Sequence, residues 1–151
     1  MVILQTINNA EARRHRGAET ILDNNLTENR ITDNIIAAAI EVHKILGGPG
    51  LLEGIYEDAL VYELELRQIS FKRQIAVPVL YKGVPVRDAL RLDLLIEDQI
   101  IVEIKATEKI LEVHSAQILT YLRLAHRKLG LLLNFGQPRL CDGISRIVNN
   151  L

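Results

Sequence analysis

The stretch RLDLLIEDQIIVEIK, residues 91–105, decides the fold. Apolar residues alternate with Arg91, Asp93, Glu103 and Lys105 on the two sides of a polar break, which predicts two short strands joined by a tight loop. In an antiparallel pair centred on that loop, Asp93 lies opposite Glu103 and Arg91 lies opposite Lys105. The sequence therefore predicts two carboxylates and a lysine close together on one face of a sheet.

A divalent metal site is the favoured interpretation of this cluster. Two hard oxygen ligands suit magnesium or manganese, whose remaining ligands would come from water, phosphate or the Ile104 carbonyl. Lys105 beside them can orient or deprotonate an attacking water. The alternative is a pair of solvated cross-strand ion pairs on an open sheet face. Because the strands are otherwise apolar and a helix is expected to cover this face, unpaired carboxylates would be costly there.

The hairpin register is a testable consequence of the metal interpretation. A loop at 97–99 brings Asp93 and Glu103 to the same face, whereas a slip of one residue would send them to opposite faces.

The composition is that of an ordinary globular protein. The chain has 151 residues, 48% hydrophobic and 25% charged, which is enough for one domain with a sizeable core. The single Cys141 cannot form an intramolecular disulfide, and the sequence shows neither a signal peptide nor a run suited to a membrane span. We therefore expect a soluble, cytoplasmic protein with no membrane partner.

The formal net charge of −1 gives no overall attraction to nucleic acid. Any binding of nucleic acid must therefore be local. A divalent metal held by carboxylates would reverse the sign of the charge at the site.

Hydrophobic periodicity predicts a mixed order of helices and strands around the hairpin. A helix of about four turns is expected to begin at Thr32 as N-cap and to end at the glycines from residue 47. The remaining predicted elements are a helix at 51–68, strands within 71–81, 87–96 and 100–106, a helix at 107–127 and a strand at 129–135. This order predicts an α/β (α+β) fold with a central mixed β-sheet flanked by helices.

The two ends of the chain carry weaker patterns. Residues 1–30 show little periodicity and are interpreted as a mobile or loosely packed N-terminal arm, which leaves 31–151 as the folded domain. The tail at 141–151 has helical spacing but is too short to assign.

The predicted second helix supplies further acidic candidates. Its expected apolar face comprises Leu52, Ile55, Tyr56, Ala59, Tyr62 and Leu66. Glu57 lies at the edge of that face and is a candidate third ligand, directly or through a water, with a solvated helix flank as the alternative. Glu53 has the same two interpretations, of which the solvated flank is favoured. Glu63 is expected to pair with an arginine or a backbone cap.

Polar residues on the predicted third helix point where a core is expected. His114, Gln117 and Tyr121 fall on the inward side of that helix. A buried glutamine needs hydrogen-bond partners, and the neighbouring strands would supply them. A half-exposed helix edge is the alternative. His43, in line with apolar residues of the first helix, is either a core histidine with a satisfied ring nitrogen or a member of the site.

These residues resemble the GxxExxY family, a branch of the PD-(D/E)XK nuclease-like superfamily. The resemblance covers roughly residues 31–148. Its motifs are Gly50-Leu-Leu-Glu53-Gly-Ile-Tyr56, Arg91-Leu-Asp93-Leu-Leu, Val102-Glu103-Ile-Lys105-Ala106, His114-Ser-Ala-Gln117-Ile-Leu-Thr-Tyr121-Leu122 and Leu131-Leu-Leu-Asn134-Phe135-Gly136.

The resemblance implies a restriction-endonuclease-like α-β-β-β-α-β core. In that core Asp93, Glu103 and Lys105 would be the catalytic residues, and Glu57 would match the acidic residue of the first core helix. Leu92 stands where the superfamily motif has proline.

The third helix adds a second resemblance. Gln117 and Tyr121 look like the QxxxY motif of RecB-type exonucleases, where these residues help organise the site.

The favoured function is a metal-dependent phosphodiesterase acting on DNA. Magnesium or manganese would be held by Asp93, Glu103 and Glu57, and Lys105 and Gln117 would complete the catalytic group. The candidates for substrate contact are Arg91, His114, Tyr121, Glu53 and His43. The alternatives are a non-catalytic module that binds nucleic acid or a protein, and a hydrolase of small phosphate esters. The sequence leaves the oligomeric state open, with a homodimer or a partner subunit as the possibilities.

Overall fold

The structure is a computed structural model that describes residues 2–87 and 89–150, with side chains from residue 23 onward. Its three helices are α1 (Val2–Ile45), α2 (Glu53–Leu66) and α3 (Glu112–Leu124). Its strands are β1 (Phe71–Val77), β2 (Leu80–Tyr81), β3 (Val84–Pro85), β4 (Leu90–Ile96), β5 (Ile100–Lys105), β6 (Leu129–Asn134) and β7 (Ile144–Val148). A short 3₁₀ helix, Leu140–Gly143, precedes β7.

One five-stranded sheet organises the domain. Its strand order is β1-β4-β5-β6-β7, and only the β5–β6 pair is parallel, with α3 as the crossover between these two strands. The expected mixed sheet flanked by helices is confirmed. The strands β2 and β3 form a separate two-stranded hairpin between β1 and β4.

The sheet has an apolar cluster on each face. Side chains of α1 and α2 pack with Leu94, Val102 and Ile104 of the central strands on one face. On the other face, α3 packs with Ile101 and Leu132. This three-layer arrangement explains why the central strands are almost continuously apolar, since both of their faces are covered.

The hairpin of β4 and β5 has the predicted register. Leu94 pairs with Val102 and Ile96 pairs with Ile100, so the strands are centred on the loop at 97–99. Glu97 and Asp98 in that loop both have positive φ, as tight hairpin turns of the primed types require. The expected register is therefore confirmed over the paired part of the hairpin.

The first helix is longer than expected. It begins at Val2 rather than at Thr32, and the Thr32 hydroxyl donates a hydrogen bond to the Glu28 carbonyl within the helix. Thr32 is therefore buried inside the helix and is not an N-cap. The predicted mobile arm at 1–30 falls on the first part of this helix, and the side chains of residues 1–22 lie outside the described residues.

The second helix presents a different face from the predicted one. Its buried residues are Tyr56, Glu57, Leu60, Val61 and Leu64, whereas Leu52, Ile55, Tyr62 and Leu66 of the expected face are exposed. The stripe that packs on the sheet is thus rotated toward Glu57. Helical periodicity permits both faces, and contact with the sheet selects between them.

Two motif residues hold the loops around the sheet. The Tyr56 hydroxyl donates to the Gly48 carbonyl at 2.7 Å and accepts from the Leu51 amide, so it fixes the turn between α1 and α2. The buried Asn134 side chain bonds the Thr107 amide and carbonyl and thereby anchors the chain after β5. Tyr56 therefore secures the loop that follows α1, and Asn134 secures the loop that follows β5.

The tail forms a strand, although its apolar spacing fitted a helix. The strand β7 pairs antiparallel with β6 from Leu129 and Val148 to Leu133 and Ile144. In the part of the chain that the structure describes, no helix combines the length and apolarity needed to cross a membrane.

Candidate functional site

Asp93 lies where β4 and β5 separate. The last pair of the ladder toward this end is Leu94 with Val102, so Asp93 and Glu103 are not joined by backbone pairing. The half-buried Asp93 instead accepts a hydrogen bond at Oδ2 from the Ile104 amide, at 2.8 Å. The strand divergence thus brings the Asp93 carboxylate to the backbone of the strand that carries Glu103.

Glu103 is the most buried acidic residue of this group, at 5% exposure. Its Oε1 lies 3.4 Å from Lys105 Nζ, and Lys105 is itself largely buried. Its Oε2 is buried and has no hydrogen-bond partner among the described residues. An ionised carboxylate oxygen in this position is costly unless a cation or a proton compensates it.

The electrostatics of the two carboxylates reflect their burial and their proximity. Burial, and then the charge of Asp93, raise the pKa of Glu103 to about 7, while Lys105 opposes the shift. Burial also raises the pKa of Asp93, and the hydrogen bond from Ile104 opposes it. Repulsion from Glu57 adds to the raised pKa of Asp93. Two acidic groups that resist joint ionisation mark a place where positive charge is needed.

Gln117 and Tyr121 of α3 stand beside this group. Gln117 Nε2 donates to the hydroxyl of Tyr121, which is buried. Burial raises the pKa of Tyr121 first, and the charges of Glu103 and Asp93 contribute to the same shift. The two side chains are therefore joined to each other and lie within electrostatic reach of the carboxylates.

Glu57 is buried and its carboxylate is held by two neighbours. Arg73 donates to Oε1 through Nε and Nη2, at 3.1 and 2.9 Å. Gln74 Nε2 lies 3.1 and 3.2 Å from the two carboxylate oxygens. A metal contact from Glu57 would require exchange of these hydrogen bonds. Its role as a ligand stays a prediction.

Comparison with known families identifies this arrangement. A family model described as the PD-(D/E)XK nuclease superfamily matches residues 29–147. The chain belongs to the PD-(D/E)XK nuclease superfamily. Comparison with curated proteins and with solved structures gave no significant match. Membership suggests a metal-dependent nuclease and hence nucleic-acid binding, and the five-stranded mixed sheet is consistent with the superfamily's fold.

The residues present fit the divalent metal that PD-(D/E)XK nucleases generally use. The Glu103 carboxylate has a buried oxygen without a partner in the described residues, and Asp93 adds a second carboxylate. Hard carboxylate oxygens are the donors that magnesium and manganese prefer. Among the side chains from residue 23 onward that the structure describes, no group of three or more His, Cys, Asp or Glu could hold an ion. Water or substrate oxygens would complete the coordination, with Glu57 as the predicted third carboxylate.

The predicted site residues His114 and His43 have structural partners in this PD-(D/E)XK domain, and so does Glu63. His114 Nδ1 accepts from the Leu111 amide and so caps the start of α3. His43 is buried, and its Nε2 lies 2.9 Å from the Gln137 carbonyl, as expected for a core histidine with a satisfied ring nitrogen. Glu63 pairs with Arg67 at 2.7 Å, as predicted.

Two other candidates are exposed. Glu53 begins α2 and is solvent-exposed, yet its charge still contributes to the raised pKa of Asp93. Arg91 is exposed and pairs through its backbone with Ala76 of β1, and the predicted pairing with Lys105 is not formed because the β4–β5 ladder ends earlier. Contact of either residue with a substrate stays a prediction.

Arg73 and Gln74 were not singled out from the sequence. They lie in a segment predicted only as strand, and no local signal marked them as partners of Glu57. The pairing of Arg73 on β1 with the buried Glu57 on α2 can be recognised only once the rotation of α2 on the sheet is known.

Proposed function

We propose that this protein is a nuclease that cleaves DNA with magnesium or manganese held by Asp93 and Glu103. The observation that carries the proposal is the buried Glu103 carboxylate in a member of a nuclease superfamily: one of its oxygens has no hydrogen-bond partner among the side chains that the structure describes, and the carboxylate lies beside Asp93 and Lys105. We also propose that the chain belongs to the GxxExxY branch of that superfamily, because the Gly50, Glu53 and Tyr56 positions of the motif are all present.

The chain's own residues would divide the work of phosphodiester hydrolysis. A bound divalent metal supplies stabilisation of charge on phosphate and a lowered pKa of bound water. Asp93 and Glu103 would hold that ion, and the Ile104 amide keeps Asp93 oriented by its hydrogen bond. Lys105 Nζ would orient the attacking water or, once it has released its own proton to solvent, accept the proton of that water, because a general base must lie within hydrogen-bond reach of the proton.

Helix α3 would support Asp93, Glu103 and Lys105 through Gln117 and Tyr121. Gln117 and Tyr121 form one hydrogen-bonded unit, and burial of Tyr121 fixes its position against the sheet. Such a unit limits the motion of the catalytic strands and presents polar groups to a substrate. This role matches the QxxxY pattern of RecB-type exonucleases, and it is proposed here on that resemblance.

Exposed cationic and aromatic side chains in the segment that leads to Asp93 support nucleic acid as the substrate. Lys82 and Arg91 are exposed and lie on the β2–β3 hairpin and on β4, so they precede Asp93 along the chain. Tyr81 at the hairpin turn is 64% exposed, with the Lys82 ammonium 5.5 Å from its ring centroid. An exposed aromatic ring with neighbouring cations is typical of single-strand contacts, where bases stack and phosphates are neutralised. These features supply local attraction that the net charge of the chain does not.

A non-catalytic module that binds nucleic acid is the second candidate. The observation that favours it is the engagement of Glu57 by Arg73 and Gln74, which leaves two carboxylates for a metal. In that case the cleft would bind nucleic acid without cutting it.

The test is incubation of the purified protein with labelled single- and double-stranded DNA and RNA in magnesium, manganese or chelator. Cleavage that requires metal is expected, and Lys105→Ala should lower its rate by about a hundred- to ten-thousand-fold, the usual contribution of a general base. Lys105→Ala should still bind manganese, because removing a cation relieves its repulsion with the metal. The matched control is Lys72→Ala, which removes an ammonium that pairs with Asp98 at the surface, 3.3 Å away.

The outcomes separate the two candidates. Cleavage lost in Lys105→Ala and retained in Lys72→Ala supports the nuclease. If the wild-type protein cuts none of the substrates with either metal but retards DNA in a gel equally with and without Lys105, the non-catalytic module is correct and the proposal fails.

A further inference from the structure

We infer that Gln74 is a positioning residue, which sets the direction of the Asp93 carboxylate through a local break in the sheet. The catalytic part of this inference rests on the proposed function. The pairs on both sides of Gln74 and Asp93 keep one register in the β1–β4 ladder, whereas these two residues are not paired. The break is therefore confined to one position in each strand.

The backbone of Gln74 explains the break in β1. Its φ is 48°, in the left-handed region that residues with a side chain rarely adopt and that interrupts a regular strand. Side chains of consecutive strand residues normally point to opposite faces. Here Arg73 and Gln74 both donate to the same Glu57 carboxylate. The left-handed conformation is what allows two neighbours to reach one acceptor.

The opposite strand changes face at the matching position. Leu94 packs in the cluster under α1 and α2, but Leu92 packs in the cluster under α3. Residues two apart share a face in a regular strand, so the alternation reverses between them. Asp93 is the residue at which it reverses.

This reversal allows the Asp93 carboxylate to contact the backbone of β5. Asp93 has no pairing partner in β1, and the ladder with β5 has already ended at Leu94 and Val102. Its carboxylate reaches sideways to the Ile104 amide, next to Glu103, instead of pointing straight out of the sheet. An unbroken β1 would pair Gln74 with Asp93 and draw the Asp93 backbone back into a regular strand.

The experiment separates the backbone requirement from other effects of substitution. Gln74→Val places a β-branched residue where φ is positive, which it strongly resists. Gln74→Gly removes the bond to Glu57 but accepts the conformation at no steric cost. Gln74→Ala disfavours the positive φ less strongly than Gln74→Val does. It therefore serves as the test variant if Gln74→Val does not fold. The matched control is Gln68→Val, because Gln68 is an exposed glutamine with φ 57° before β1.

The first readout needs neither metal nor activity. The Ile104 amide is observed by NMR in the metal-free protein, and Asp93→Ala identifies the shift and exchange protection that depend on the carboxylate. Gln74→Val, or Gln74→Ala, should lose this signature, while Gln74→Gly and Gln68→Val should keep it. Urea unfolding of each variant confirms that the domain is folded.

The second readout is metal-dependent cleavage. A misplacement of about 1 Å in a catalytic group costs on the order of a hundredfold in rate, so a loss of about that size is expected for Gln74→Val and little change for Gln68→Val. If Gln74→Val and Gln74→Ala both keep the Ile104 signature, or if Gln68→Val loses it equally, the inference is overturned. If the signature behaves as expected but wild-type protein cleaves nothing, the positioning role stands and the proposed nuclease activity is what fails.

Discussion

Replacing Glu103 by glutamine is expected to stabilise the metal-free protein at alkaline pH and to change its stability little in acid. The carboxylate is 5% exposed and has one oxygen without a hydrogen-bond partner among the described residues. Above its pKa, the folded protein must keep this group ionised in a poorly solvated place. Glutamine has similar shape without the charge.

The magnitude follows from the raised pKa of Glu103. Burial, with the charge of Asp93, moves the pKa from 4.5 to about 7. A pKa change of one corresponds to about 1.4 kcal/mol, so the ionised group lowers the free energy of unfolding by about 3 kcal/mol. Because the folded state binds this proton more tightly, the associated stability is fully present below pH 4.5. It is lost as the pH rises to about 7.

The assay is urea unfolding in chelator between pH 4 and pH 8. The stability difference between Glu103→Gln and wild type should grow with pH and level off above about pH 7, at up to about 3 kcal/mol in favour of the variant. Glu63→Gln is the matched control, since Glu63 pairs with Arg67 in a partly exposed ion pair that is worth about 1 kcal/mol or less. A Glu103→Gln variant that is less stable than wild type at pH 8, or equally shifted at all pH values, would refute the reasoning.

Three further outcomes are expected. Asp93→Ala and Glu103→Ala should each abolish manganese binding in calorimetry, and unchanged binding in both would contradict the metal site. Gly136→Ala should destabilise the fold by about 3 kcal/mol in urea unfolding, because the added Cβ would overlap the Thr107 backbone. Tyr56→Phe should cost about 1 kcal/mol by removing the hydrogen bond to the Gly48 carbonyl, and an unchanged urea midpoint would argue against that bond.

The hairpin that carries the candidate site was predictable from sequence. Its apolar alternation has a period of two residues, and the polar break at 97–99 sets the centre of the pair, so the register depends only on neighbouring residues. The pairing of Leu94 with Val102 and of Ile96 with Ile100 confirms it. The same local logic identified the strands on either side.

The alternation of the hairpin does not extend through the site itself. A regular continuation would place Asp93 directly opposite Glu103, but the ladder stops one pair earlier and Asp93 bonds the Ile104 amide. That departure depends on Gln74, which lies in another strand. The positive φ of Gln74 could not be predicted from the sequence, because the residue is an ordinary glutamine within an apparently regular strand.

The sequence by itself determined the order of the sheet's central elements, the hairpin register and the residue types of the acidic cluster, because these depend on spacing along the chain. Only the tertiary structure decided the rotation of α2, which buries Glu57 against Arg73, and the pairing of the tail as β7. An apolar stripe on a helix tolerates rotation, and a short apolar tail fits either a helix or a strand. In both cases the choice is made by burial against distant parts of the chain, which contribute nothing to the local pattern.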